Sequence, residues 1–70
     1  MLVRFGQCLR NARKKKGLSQ EKLAELANLD RTYISLLERG KRNPSLICIT
    51  CLCKALDISL PELFQTMDIN

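Results

Sequence analysis

Four cysteines, Cys8, Cys48, Cys51 and Cys53, carry the most reactive chemistry in this 70-residue chain. The run Cys48-x-x-Cys51-x-Cys53 invites a metal reading, because closely spaced thiolates are zinc ligands. On a helix, however, Cys48 and Cys51 share a face while Cys53 points elsewhere, and only Cys8 remains as a fourth thiol. Structural zinc takes four ligands. Buried or interface thiols are therefore expected in place of a metal, since free cysteine packs as a small hydrophobe. A redox pair formed by Cys48 or Cys51 across two copies of the chain is the remaining alternative. There is no histidine, which removes imidazole bases, Cys–His nucleophile pairs and His-containing zinc sites. Clustered carboxylates, a Gly-rich phosphate loop and a usable Ser-x-x-Lys arrangement are also missing. The chain is expected to be no enzyme and to use no cofactor and no metal.

The remaining chemistry is charge. Twelve Lys and Arg against seven Asp and Glu leave +5. Such a balance suits a polyanionic partner, nucleic acid first and an anionic membrane second. No apolar run approaches the roughly 20 residues that cross a bilayer, so no membrane-spanning role is expected. Met1-Leu2-Val3-Arg4-Phe5-Gly6 is too broken by charge and glycine to form the centre of a secretory signal. With three cysteines inside one helical segment, the compartment reads as reducing and the location as cytoplasmic.

Helical signals position these residues. Phe5, Leu9 and Ala12 recur at four- and three-residue steps. Arg13-Lys14-Lys15-Lys16 then falls in a last turn, where cations complement free carbonyls, and Gly17 supplies a left-handed stop. Ser19 caps a second helix with Glu21 in its first turn and Leu23, Ala24 and Ala27 on its apolar side, stopping near Asn28. Asp30 caps a third, with an inner stripe of Tyr33 or Ile34 together with Leu37, ending before Gly40. Ser45 caps a fourth that runs to about Leu56, with Leu46, Ile49, Leu52, Cys53 and Leu56 assigned to its inward face. Ser59 and Glu62 form a capping box for a last short helix, from which Leu63 and Phe64 close the core. The expectation is an all-α, compact five-helix bundle, a single domain over 1–70 with a core about 5–64.

Residues 20 to 39 contain a helix, the turn Asn28-Leu29-Asp30 and a second helix. Helices joined so tightly cross steeply and need a small side chain at the crossing, which Ala24 supplies. Leu23, Ala27, Ile34 and Leu37 fill the angle. Arg31, Thr32, Ser35, Leu36 and Arg39 then face outwards, on a helix of the width that enters a DNA major groove. Gly17-Leu18-Ser19-Gln20 with Leu23-Ala24, then Ile34-Ser35 and Glu38-Arg39-Gly40-Lys41 with Pro44-Ser45-Leu46, resembles the helix-turn-helix family of phage repressors and Cro, with its lambda-repressor-like DNA-binding domain. The resemblance spans roughly Phe5 to Phe64. The stretch Asn28-Leu29-Asp30-Arg31-Thr32-Tyr33-Ile34-Ser35 looks most like the controller proteins of restriction–modification systems.

The resemblance implies roles residue by residue. Gln20 matches a glutamine that contacts phosphate at the start of its helix, where the amide dipoles favour an anion. Arg31 and Thr32 match the base-reading start of the recognition helix, and arginine can bind guanine O6 and N7 together. Tyr33 and Ser35 match neighbouring contact positions, Tyr33 either supporting the helix or touching a phosphate. Lys41, Arg42 and Asn43 match a loop that clamps the backbone. Arg13 and Glu38 match an internal ion pair. Two positions depart from the family pattern: Leu36 replaces a frequent polar base reader, and Ile47, Cys48 and Cys51 replace polar residues outside the fourth helix.

That outer apolar strip exceeds what the core needs, and surplus apolar surface marks an interface. A two-fold homodimer through Ile47, Cys48, Cys51, Leu60 and Phe64 would place two recognition helices about 34 Å apart, one DNA turn. The expected function is sequence-specific regulation of transcription on a palindromic double-stranded operator, with RNA polymerase as a further partner. The rival is a protein-interaction module, such as an antitoxin whose DNA binding is secondary. Repression and activation are not separable at this level.

Overall fold

The computed structural model describes residues 2–65, and within them every regular element is a helix, joined by short turns and loops, without a strand. Five helices follow in order: α1 (Leu2–Lys15), α2 (Gln20–Ala27), α3 (Arg31–Glu38), α4 (Leu46–Leu56) and α5 (Leu60–Gln65). The expected all-α five-helix bundle is borne out. The expected domain of 1–70 also takes in Met1 and residues 66–70, which lie outside the described residues.

Local chemistry sets the helix boundaries. The first backbone N–H groups of a helix have no partner within it, and short polar side chains satisfy them. The Ser19 hydroxyl accepts from the Lys22 N–H at 3.0 Å, Asp30 from Thr32 at 3.0 Å and Ser45 from Cys48 at 3.1 Å. Ser59 and Glu62 cap each other, at 2.9 and 3.2 Å. The bond from the Ser59 backbone N–H, then that from its hydroxyl, hold the Glu62 carboxyl below its ordinary pKa. At the other ends, Asn28 (φ 58°) closes α2 and Asp57 (φ 57°) closes α4, both left-handed.

The helices meet around twelve buried apolar side chains. Phe5, Cys8, Leu9 and Ala12 come from α1, Leu23, Ala24 and Ala27 from α2, and Ile34 and Leu37 from α3. Leu52, Leu56 and Leu63 close the core from α4 and α5. Ile34, and not Tyr33, carries the inner stripe of α3. The Cys8 thiol donates to the Leu63 carbonyl, and the Phe5 and Phe64 rings meet at a tilt, 6.2 Å apart, so α5 is tied back onto α1.

One inward assignment is corrected. Leu46, expected on the buried face of α4, is 73% exposed. Its periodicity is inward, but it begins the helix and opens into an uncovered groove of about 530 Å³ with Ile49, Cys53, Ile58 and Leu60. Ile49 and Cys53 are half-buried against the core.

Candidate nucleic-acid interface

Ala24 and Ala27 are small enough to let α2 and α3 pack closely across the Asn28-Leu29-Asp30 turn. Asn28 makes the turn possible: its left-handed backbone directs its N–H to the Ala24 and Glu25 carbonyls, and Leu29 also bonds back to Ala24 at 2.8 Å. With Ile34 and Leu37 driven inward, the opposite side of α3 is left at the surface. Arg31 and Thr32 are exposed there, while Ser35 and Leu36 are half-buried. Gln20, from the first turn of α2, lines one shallow depression of about 170 Å³ with Arg31, Thr32 and Ser35.

Behind this surface lies a buried ion pair. Arg13 reaches Glu38 through Nε to Oε2 at 2.6 Å and Nη2 to Oε1 at 3.1 Å, and donates through Nη1 to the Leu18 carbonyl at 2.7 Å. The side chains of Arg13 and Glu38 are only 10% and 3% exposed. Arg13 and Glu38 are thus in contact, as their resemblance to an internal pair implied. The sequence did not reveal a third member: Gln20 Nε2 donates to Glu38 Oε1 at 3.0 Å. No spacing rule links residues 18 positions apart on different helices.

A second cluster joins α3 to the following loop and α4. The Arg42 guanidinium lies 5.2 Å from the centre of the half-buried Tyr33 ring, a cation–π distance. Interaction with the nearby Cys48 thiol, ahead of burial, raises the Tyr33 pKa above its ordinary value. Cys48 moves the opposite way. The Ser45 hydroxyl first, and Tyr33 second, hold its thiol below the ordinary value. Lys41, Arg42 and Asn43 are all exposed between α3 and α4.

The residues expected at a dimer contact share one region only in part. Ile47 is 77% exposed and Leu60 41% exposed, and Leu60 shares the α4–α5 groove with Leu46. Cys48 and Cys51 are half-buried, and Phe64 spends part of its surface on Phe5. No three His, Cys, Asp or Glu side chains are grouped as a metal site among the described residues. No helix among them is long and apolar enough to cross a membrane.

A tight two-helix corner with a polar outer face on its second helix defines a helix-turn-helix domain, and the profile of the helix-turn-helix family matches residues 9–63. The control protein C.MunI of a Mycoplasma species is 46% identical over 67 residues, covering 94% of this chain and 90% of that protein. The crystal structure of the restriction–modification controller protein C.AhdI from Aeromonas hydrophila superposes with a TM-score of 0.87 at 59% identity. That match covers 90% of this chain and 96% of the other. The controller protein C.Esp1396I, solved as a tetramer in complex with its natural 35-base-pair operator, matches with a TM-score of 0.86 at 36% identity, over 94% of this chain and 87% of that one. The chain belongs to the helix-turn-helix family of transcription regulators, among the restriction–modification controller proteins.

Proposed function

We propose that this protein regulates transcription by binding a palindromic operator in double-stranded DNA as a homodimer, without enzymatic activity. The observation that carries the reading is the single depression in which Gln20 meets Arg31, Thr32 and Ser35 at the exposed start of α3. Arg31 and Thr32 read base edges in the major groove, with Ser35 beside them. Gln20, Lys41, Arg42 and Asn43 fix the register on phosphates, and Tyr33 contributes from the flank of α3 through its stacking with Arg42. The operator complex of C.Esp1396I supports the choice of ligand.

The dimer forms through Ile47, Cys48, Cys51, Leu60 and Phe64, with exposed Leu46 added to that strip. Ile47 and Leu46, both more than two-thirds exposed on neighbouring positions of α4, give the contact its apolar centre. The whole chain, 1–70, acts as one domain in the cytoplasm, and RNA polymerase is the machinery it meets at its promoter.

Fluorescence anisotropy with duplex DNA from upstream of the gene, against a scrambled duplex across a salt series, tests the reading. Preference of about a thousandfold or more, with two chains per palindromic duplex, supports it, as does a steep loss with salt. Arg31→Ala is expected to cost about 1–3 kcal/mol on the operator and relax sequence choice, whereas Lys41→Ala weakens all sequences alike. Equal loss on operator and scrambled DNA with Arg31→Ala removes it as a base reader.

A further inference from the structure

The buried Glu38 carboxylate has more to do than neutralise Arg13. Its Oε1 accepts from both Arg13 Nη2 at 3.1 Å and Gln20 Nε2 at 3.0 Å. An ionised carboxylate has no proton to give, so it can hold the Gln20 amide only by its nitrogen end. A flipped amide would set Gln20 Oε1 against Glu38 Oε1, two acceptors with no hydrogen between them. One Nε2 hydrogen is thereby used, and the second remains available at the depression that Gln20 shares with Arg31, Thr32 and Ser35. Arg13, itself held by the Leu18 carbonyl at 2.7 Å, cancels the charge that would otherwise repel an approaching anion.

We infer that Glu38 is a positioning residue for DNA binding: it fixes the Gln20 side-chain amide with its second Nε2 hydrogen presented to a phosphodiester oxygen. The inference rests on the DNA-binding function proposed above. Glu38 itself touches no DNA and acts through Gln20. Three helices converge on this arrangement, Arg13 from α1, Gln20 from α2 and Glu38 from α3. A shift of any of them moves the donor.

Glu38→Gln tests it, because a neutral amide at 38 offers both a donor and an acceptor and lets Gln20 be held either way round. The probe is an operator duplex carrying neutral methylphosphonate linkages one at a time, titrated with the parent, Gln20→Ala, Glu38→Gln and the double variant. In the parent, one linkage is expected to cost about tenfold in affinity, the scale of a hydrogen bond to a charged group. Gln20→Ala loses that sensitivity, and Glu38→Gln loses most of it. The double variant binds no more weakly than Gln20→Ala alone, whereas a purely structural effect of Glu38 would persist in the Gln20→Ala background. Full linkage sensitivity in Glu38→Gln, or strictly additive losses, overturns the inference. A parent that binds its operator yet feels no linkage at Gln20 overturns it too, leaving the DNA-binding function intact. A parent that does not bind the operator refutes that function.

A spectrum of the parent alone guards against a variant that fails to fold. The two Gln20 side-chain amide hydrogens are expected to be unlike, one protected from solvent exchange in the free protein and the other shifting on addition of DNA. Two hydrogens that exchange alike overturn the assignment.

Discussion

Gly6 lies buried on α1, the helix that packs across α3. A Cβ placed on it would stand 2.5 Å from the Leu37 carbonyl oxygen and 2.6 Å from that of Glu38, about 0.9 Å inside the 3.4 Å of ordinary contact. Both obstacles are backbone and cannot rotate away. The Leu37 carbonyl is also held from the other side by the Gly40 N–H at 3.1 Å. Gly6→Ala gains about 1 kcal/mol of helix propensity. Forcing the helices apart costs more, near the upper end of the ~1–3 kcal/mol seen for overpacked sites, because a whole helix must move. The balance is a loss of about 2 kcal/mol, or roughly 8–16 °C in Tm for a domain of this size. Urea denaturation followed by circular dichroism, with an unchanged slope, is the measurement. A Gly6→Ala protein as stable as its parent, or more stable, would refute the argument that α1 rests directly on the α3 carbonyls.

The other predictions concern the core and the thiols. Ile34→Ala, at a fully buried position, should cost about 2–5 kcal/mol, seen as a matching fall in the urea midpoint. Cys48, held acidic by Ser45 and Tyr33, should react with iodoacetamide ahead of Cys53, whose thiol is pushed up by burial, and at lower pH. Raising the protein concentration should protect Cys48 as the proposed dimer forms, and protection that does not depend on concentration counts against that interface. Because the Cys48 pKa is depressed in the fold, its stabilising contribution is complete above the ordinary thiol pKa and fades as pH falls through the lowered value. A Cys48→Ala variant should therefore differ from its parent more in alkaline than in neutral urea titrations.

What could be read from the residues alone follows the range of the interaction. Caps act over two or three residues, so Ser19, Asp30, Ser45 and the Ser59–Glu62 box were legible, and with them the starts of α2 to α5. Core faces followed from helical periodicity at Phe5, Leu9 and Ala12. Periodicity gives a direction without saying what stands there, which is why Leu46 points inward by pattern and still meets an open groove. Asp57 gave no signal as a left-handed stop, since aspartate adopts that conformation far less readily than glycine. The contacts of Gly6 with α3, of Cys8 with Leu63 and of Gln20 with Glu38 join distant positions and have no local trace. The Arg13–Glu38 pair, equally distant, came only through family resemblance. The outward residues of α3 were legible because the tight turn leaves them one side to face.

Tyr33 is the chain's only tyrosine, and there is no tryptophan. Its ring is stacked under Arg42 and its hydroxyl interacts with the Cys48 thiol strongly enough to raise its pKa, on the helix proposed to enter DNA. The protein therefore has one dominant near-ultraviolet fluorophore, placed where binding would disturb it. A thiol beside the ring quenches its emission, so the free protein should be dim. Any event that draws the ring away from Cys48 should brighten it, giving an unlabelled optical readout of a single side chain.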